Sequence, residues 1–170
     1  MNTFNIYWSY LLLDGEKMHL AASPKGLCCI LWPNEPFEVL EKWVKKHFPL
    51  GSLVYDQEKL AVYGRQIEEY LSGQRKTFDI PLDLCGTDFQ IAVWQALLKI
   101  PYGTTKSYSE IAKEIGRPKA VRAVGGAIGA NPVPIVVPCH RVIGKDGSLT
   151  GFAGGLDIKQ QLLKIEGTFI

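Results

Sequence analysis

The sequence predicts an α+β protein, a small sheet unit followed by a mainly helical one. Three observations predict this. In the first half, turn signals at Asp14-Gly15 and Ser23-Pro24-Lys25-Gly26 separate short apolar runs. From about residue 87 the apolar residues recur at helical spacing instead. Two helix starts in that half carry capping boxes, Thr87 with Gln90 and Ser107 with Glu110.

Taken in order, Ile6 to Leu13, Met18 to Ala22 and Leu27 to Trp32 read as three strands of an antiparallel meander. Phe37, Leu40, Val44 and Phe48 are spaced for one amphipathic helix, and Leu60, Tyr63, Ile67, Tyr70 and Leu71 for a second. Phe78 to Leu82 is either a further short strand or an extended connection. Phe89, Ala92, Val93, Ala96, Leu97 and Ile100 follow the first capping box and stop at Pro101-Tyr102-Gly103. The second box opens a short helix ending at Gly116, with Ile111, Ala112 and Ile115 inward. Pro118 suits the first turn of a third helix running to about Ala130, so this pair reads as a helix-turn-helix. Pro132, Pro134 and Pro138 keep the next stretch extended. A last helix runs from about Ile158 to Ile165, with Asp157 as its N-cap.

A chain of 170 residues accommodates one ordinary domain or two small ones. The boundary is expected near Leu84 to Gly86, giving units 1–84 and 85–170 that pack tightly, since no Pro/Gly-rich linker separates them. The first unit holds nine Lys/Arg against eleven Asp/Glu, a charge of −2, and the second holds ten against six, a charge of +4. Only the second half is therefore expected to meet a polyanion. No apolar run approaches the ~20 residues that span a bilayer, and the first residues lack a signal-peptide pattern. The expected location is cytoplasmic, or nuclear in a eukaryote, with no membrane partner. Cys28, Cys29, Cys85 and Cys139 match neither a disulfide framework nor a C-x-x-C zinc pair. His19, His47 and the Cys28/Cys29 pair are a conceivable metal set, but buried structural thiols are the expected reading.

Two segments carry chemistry. In the third helix, Val121, Val124 and Ile128 form a stripe assigned to the core, whereas Arg122, Gly125, Gly126 and Gly129 form another. Each glycine costs about 1 kcal/mol relative to Ala inside a helix. Either a narrow partner surface comes close to the bare backbone, or a neighbouring helix of the same protein does. A sequence reader in the major groove would instead present several Asn, Gln, Arg or Lys side chains. The second segment is Val137-Pro138-Cys139-His140-Arg141-Val142. A thiolate is a strong nucleophile, and a histidine can take the thiol proton directly or through one water. Neighbours on a strand face opposite ways, so Pro138 is expected to bend the chain and bring Cys139 and His140 to one site. The expectation is a sulfur at position 139 that ionises readily. Glu166 ends the last helix, where a negative charge is disfavoured by roughly 0.3–1 kcal/mol. It is either an orienter of the imidazole or an exposed residue of no consequence.

The span from Gly86 to Gly167 resembles the active domain of the O6-alkylguanine-DNA alkyltransferases. The resemblance rests on Phe89-Gln90-x-x-Val93-Trp94, Ile100-Pro101-x-Gly103-x-Thr105-x-Ser107-Tyr108 and Arg122-Ala123-Val124-Gly125. It continues through Asn131-Pro132, Pro138-Cys139-His140-Arg141-Val142-Ile143-Gly144, Gly151-Phe152-Ala153-Gly154-Gly155 and Leu162-Leu163-x-x-Glu166-Gly167. It implies a small ribonuclease H-like amino-terminal domain ahead of the DNA-binding domain. It also implies direct-reversal DNA repair, in which Cys139 takes the alkyl group of O6-alkylguanine irreversibly, once per molecule, with O4-alkylthymine as a second substrate. In that reading His140 is the base through a water, Glu166 orients it, Asn131 ties the helix-turn-helix to the cysteine loop, and Tyr108 donates to the leaving guanine. Arg122 enters the duplex where the flipped nucleotide had been, with Lys119, Ala123, Gly125, Gly126 and Arg141 also at the DNA. Val142, Phe152, Ala153, Gly154 and the Gly151 to Gly155 loop form the substrate pocket. Neither a cofactor nor a metal is implied, since the zinc ligands of some relatives have no counterpart here. The implied partner is double-stranded DNA, bound by a monomer through the minor groove with little sequence preference. Phe152 stands where many relatives have Tyr, which bears on the range of adducts. Two binders without chemistry, a damage-flagging relative and a helix-turn-helix regulator, are the alternatives. A Cys-His hydrolase of acyl groups is a third.

Overall fold

The computed structural model describes residues 3–149, 152 and 154–168. The expected meander is present as β1 (Phe4–Leu13), β2 (Glu16–Ser23) and β3 (Gly26–Ile30), paired antiparallel in sequence order. Asp14 and Gly15 both take positive φ, 52° and 80°, the conformation a tight hairpin turn demands. One strand escaped the sequence reading. β4 (Gly51–Tyr55) pairs parallel to β1, making a mixed four-stranded sheet of order β3-β2-β1-β4. It is a short edge strand with no buried residue, so it lacks the apolar alternation that would have announced it.

Helix α1 (Phe37–His47) buries Leu40 and Val44, and α2 (Gln57–Leu71) buries Leu60, Ile67 and Tyr70, as the spacing predicts. Asp56 caps α2 by accepting the Lys59 backbone N–H at 3.0 Å, an interaction worth about 1 kcal/mol. The 78–82 stretch is the extended connection of the two options. It touches the sheet through one bridge, Leu27 to Leu82, and hydrogen bonds from Leu27 to Pro81 and from Asp83 to Leu27.

In the second half, α3 (Asp88–Leu98) and α4 (Tyr108–Glu114) both begin with the expected reciprocal capping boxes. Ala92, assigned to the inner face of α3, is exposed, and Trp94 is the inward residue. The Trp94 indole donates to the Ala127 carbonyl at 2.8 Å, tying α3 to α5 (Val121–Gly129). Helix α5 begins three residues later than Pro118 implied. Gly116, at φ 75°, ends α4 with its N–H on the Lys113 carbonyl while Arg117 N–H reaches Ala112. Pro118 and Lys119 then lie in a turn closed by Ala120 N–H on the Arg117 carbonyl. The core stripe shifts accordingly. Val124, Ala127 and Ile128 are buried, while Val121, the first helical residue, is 38% exposed.

A two-residue parallel ladder, β5 (Lys106–Ser107) with β6 (Val142–Ile143), joins the start of α4 to the chain after the cysteine. The last helix, α6 (Leu156–Ile165), starts two residues earlier than expected, with Gly155 at the N-cap. The positive φ of Gly155, 97°, makes the entry turn, so Asp157 sits inside the first turn rather than capping it. One hydrophobic cluster runs unbroken from Leu11, Met18 and Leu20 through Trp94, Val124 and Val137 to Leu162. The halves also share a backbone bond from Ile30 N–H to the Pro132 carbonyl at 2.8 Å.

Candidate active site

The site grows from the proline-rich segment after α5. Residues 132–142 are all buried, and Ile135 holds φ at 74°, an unusual and strained conformation for a β-branched residue. Asn131 spans the start and end of this segment. Its Nδ2 donates to the Val137 carbonyl at 2.9 Å, and its Oδ1 accepts the Val133 N–H at 3.0 Å. The chain then turns as a single 3-10 turn over Cys139–Arg141. Successive side chains in such a turn diverge by about a third of a revolution, not by the half-turn of a strand. The turn thus keeps Cys139 and His140 from pointing opposite ways, and both side chains are buried.

His140 is fully buried, and its Nε2 lies 2.7 Å from Glu166 Oε2. Since a carboxylate only accepts, the proton is assigned to Nε2. Nδ1 is left buried without a protein hydrogen-bond partner among the described residues. Burial lowers the basicity of His140, and the Glu166 carboxylate only partly restores it. The ring is therefore a neutral base with an open lone pair at Nδ1.

Of the two readings of Glu166, the exposed one is excluded, because its side chain is wholly buried. It is the C-cap of α6, held there by Gly167 at φ 74°, whose N–H returns to Lys164 while Thr168 N–H reaches Leu163. Burial alone would raise its carboxyl. Hydrogen bonds from His140 and Arg141 more than reverse this and hold it at about 2. Arg141 grips it from Nε at 2.9 Å to Oε1 and from Nη2 at 2.9 Å to Oε2, and donates from Nη1 to the Ile100 carbonyl at 2.6 Å. Arg141 was expected at the DNA; instead it is an inward counter-ion, 7% exposed, because a buried carboxylate needs a partner. Gly103 N–H adds a bond to Oε1 at 3.2 Å.

The thiol departs from expectation as well. Burial pushes Cys139 up to about 11, although the Asn131 side chain, the Lys159 ammonium and local backbone N–H groups pull it down. Burial thus disfavours the thiolate in the resting protein. The sulfur does not ionise readily at rest, and its proton has to leave during the reaction. Lys159, which the sequence reading did not single out, is completely buried on α6, where burial lowers its own proton affinity and Cys139 opposes that fall.

A cavity of about 20 Å³ adjoins Cys139, lined by Trp32, Ile128, Gly129, Asn131, Pro134 and Phe152. Phe152 is a wall of it, with its ring 5.6 Å from that of Trp32. Gly154 packs so closely that a Cβ there would fall 2.7 Å from the Trp32 ring. Val142, expected in the pocket, is fully buried in β6 and is not among the side chains that line this cavity. Gly151 and Ala153 lie outside the described residues.

The outer face of α5 is bare. Arg122, Ala123, Gly126 and Gly129 are exposed, as is Lys119 in the preceding turn. Among the described residues, a Cβ at Gly126 or Gly129 would meet nothing within 4 Å, so no described helix requires either glycine. Gly125 faces the ring of half-buried Tyr108, 3.9 Å from where a Cβ would stand. The glycine face opens outward, and Arg122 is its one long side chain.

A buried thiol backed by an imidazole and a carboxylate, next to a helix-turn-helix pair with a smooth outer face, defines a cysteine-nucleophile protein that works against an approaching surface. Comparison with known proteins narrows this class. The DNA-binding domain of 6-O-methylguanine DNA methyltransferase matches residues 88–168, and the ribonuclease-like domain of the same family matches residues 6–84. The chain belongs to the 6-O-methylguanine DNA methyltransferase family. It is 53% identical over 165 residues to the inducible methylated-DNA–protein-cysteine methyltransferase of Bacillus subtilis (strain 168), covering 97% of this chain and 92% of that one. It is 56% identical over 151 residues to the methylated-DNA–protein-cysteine methyltransferase of Methanosarcina acetivorans, covering 88% and 90%. Among solved structures it resembles Mycobacterium tuberculosis OGT in complex with DNA, with a TM-score of 0.81, 39% identity and coverage of 94% and 92%.

Proposed function

We propose that this protein repairs DNA by direct reversal, moving the alkyl group of O6-alkylguanine onto Cys139 in a single irreversible turnover. The observation that carries the reading is the buried Cys139 beside a neutral His140 whose Nε2 is held by Glu166 and whose Nδ1 is open. The thiol proton passes to Nδ1, through a water, as the sulfur attacks the alkyl carbon. An S–C bond forms and the C–O6 bond breaks. The electron pair goes to the guanine, whose developing negative charge is stabilised by a hydrogen bond from the Tyr108 hydroxyl. The guanine anion takes a proton from water on release, and the imidazolium returns the thiol proton to solvent. Glu166, already paired with Arg141, stabilises the buried imidazolium that results. The product is a thioether, which water does not cleave, so each molecule acts once.

A base inside a duplex is beyond reach of a buried sulfur, so the target nucleotide is flipped out. Arg122 fills the vacated space, and the exposed glycines of α5 let the backbone enter the minor groove of double-stranded DNA. Recognition by shape and charge gives little sequence preference and strong salt dependence. The cavity at Cys139, about 20 Å³, is far smaller than a purine, so the lining side chains, Phe152 and Trp32 among them, move as the base enters. The protein works as a monomer in the cytoplasm, with O4-alkylthymine as a second substrate. A binder that only flags damage would have no need of a base and an orienting carboxylate behind the cysteine.

Incubation with an oligonucleotide carrying O6-methylguanine, followed by intact and peptide mass, tests the proposal. A gain of one methylene equivalent on the Cys139 peptide is expected, at most one per molecule. Cys139→Ala should abolish transfer yet retain DNA binding. A lesion-bearing duplex left unchanged while the Cys139 thiol is titratably free would overturn it.

A further inference from the structure

Tyr70 lies one residue before the end of α2, in the half of the chain that holds the sheet. The apolar spacing marks it only as a core residue, and the core does receive its ring. It is fully buried, edge-on to Tyr102 at 6.2 Å and 5.5 Å from Phe78. Packing would be served equally by phenylalanine. The hydroxyl has a separate destination. It donates to Glu166 Oε2 at 2.5 Å, and its oxygen stands 3.1 Å from His140 Nε2. A phenol has one proton, and the carboxylate takes it, so the remaining lone pairs can face the imidazole N–H. Nε2–H therefore lies between two acceptors, Glu166 and Tyr70, and both require the proton to be on that nitrogen.

Three distant parts of the chain converge here: α2, the 3-10 turn and the C-cap of α6. Oε2 of Glu166 receives Tyr70, His140 and Arg141, while Oε1 receives Arg141 and Gly103 N–H. With both oxygens engaged, the carboxylate cannot rotate without breaking several bonds in a dry interior, where each unmade bond is costly. The consequence appears on the far side of the imidazole, where Nδ1 is the buried nitrogen left open.

We infer that Tyr70 is a positioning residue for alkyl transfer, supplied by the amino-terminal half, whose hydroxyl fixes the Glu166 carboxylate and the Nε2–H tautomer of His140 so that Nδ1 stays free to take the thiol proton. The inference rests on the proposed role of Cys139 as acceptor. The first half of the chain is then more than a scaffold, since docking of α2 completes the proton relay.

Tyr70→Phe removes one oxygen and keeps the ring. Single-turnover transfer from free O6-benzylguanine, followed over about pH 5 to 9, spans the range where an imidazole titrates. The plateau should fall about tenfold, part of the roughly 10²–10⁴ that a positioned general base supplies. The acid limb should move to higher pH, because without the phenol donor the carboxylate charge is freer to stabilise the imidazolium. Transfer from a duplex should fall by the same factor with DNA affinity unchanged. The rate of Cys139 carbamidomethylation by iodoacetamide, read from its peptide mass, should show the same displaced limb. That measurement needs no guanine, so it separates failure of this inference from failure of the proposed reaction. An unchanged plateau and limb, with only a lowered melting temperature, would make Tyr70 a packing residue and overturn the inference. Should the variant not fold, the ¹⁵N spectrum of His140 in the unaltered protein decides: a protonated Nε2 with bare Nδ1 supports the inference, and a protonated Nδ1 refutes it.

Discussion

Replacing Glu166 by Gln takes one negative charge out of a closed interior and leaves the Arg141 guanidinium, 7% exposed, without its counter-ion. Breaking a buried pair from one side costs about 3–5 kcal/mol near neutral pH, which a domain of ordinary stability survives with little margin. The pH dependence follows from the carboxyl itself, held at about 2 in the folded protein against an ordinary 4.5. Because the folded value is the lower one, its contribution is complete above the ordinary value and is lost as acid is added. The full shift corresponds to about 3 kcal/mol, of which about 2 kcal/mol disappears between pH 6 and 3. Urea denaturation of both proteins across that range isolates the effect, since the other carboxylates cancel in the difference. The stability gap should shrink by about 2 kcal/mol on going from pH 6 to 3. A gap constant to within a few tenths would refute the assignment of Glu166 as the buried, ion-paired anion of the site. In the same variant, transfer to Cys139 should fall steeply at pH 7, because a neutral amide cannot stabilise the imidazolium.

Three further outcomes are expected. Arg122→Ala should weaken transfer from a lesion in duplex DNA at least tenfold more than transfer from free O6-benzylguanine, compared by single-turnover rates; equal losses would remove Arg122 from its assigned place in the duplex. Gly154→Ala would set a Cβ 2.7 Å from Trp32 Cε2 and 2.9 Å from Phe152 Cε2, so it should lower stability by about 1–3 kcal/mol in urea; an unchanged midpoint would show that the loop yields without cost. Lys159→Met keeps the buried volume but removes the cation that pulls the Cys139 proton affinity down, so iodoacetamide alkylation of Cys139 at fixed pH should slow. An unchanged alkylation rate would mean that the ammonium does not act on the sulfur.

The legible parts of this protein were those where a few neighbouring residues decide the outcome. The capping boxes at Thr87 and Ser107 satisfy their own helix starts with side chains three residues apart, and both formed. The Asp14-Gly15 turn and the apolar spacings of α1 and α2 behaved likewise. Local signals failed where two plausible structures differ little in local energy. Pro118 fits a first helical turn, but the Gly116 terminus and the Arg117 to Ala120 turn place α5 later, which exposes Val121. Strand β4 shows no burial pattern because it borders the sheet and is paired on one side only.

Within the site, Cys139, His140 and Glu166 were readable as residue types with a chemistry in common, and the segment around Cys139 carried the family resemblance. Their physical states were not readable. Whether the sulfur is ionised depends on how much water reaches it, and burial against Asn131 and Lys159 sets that balance. Arg141 shows the same limit: a basic residue beside a DNA-facing motif reads as a phosphate contact until folding brings a buried carboxylate to it. Tyr70 stands 70 residues from His140 and 96 from Glu166, a separation no spacing rule spans. Short-range hydrogen bonding and periodicity thus determine the elements and nominate the nucleophile. Desolvation and contacts between distant segments exist only once the chain has closed on itself, and these decide which groups carry charge and which nitrogen is free to accept a proton.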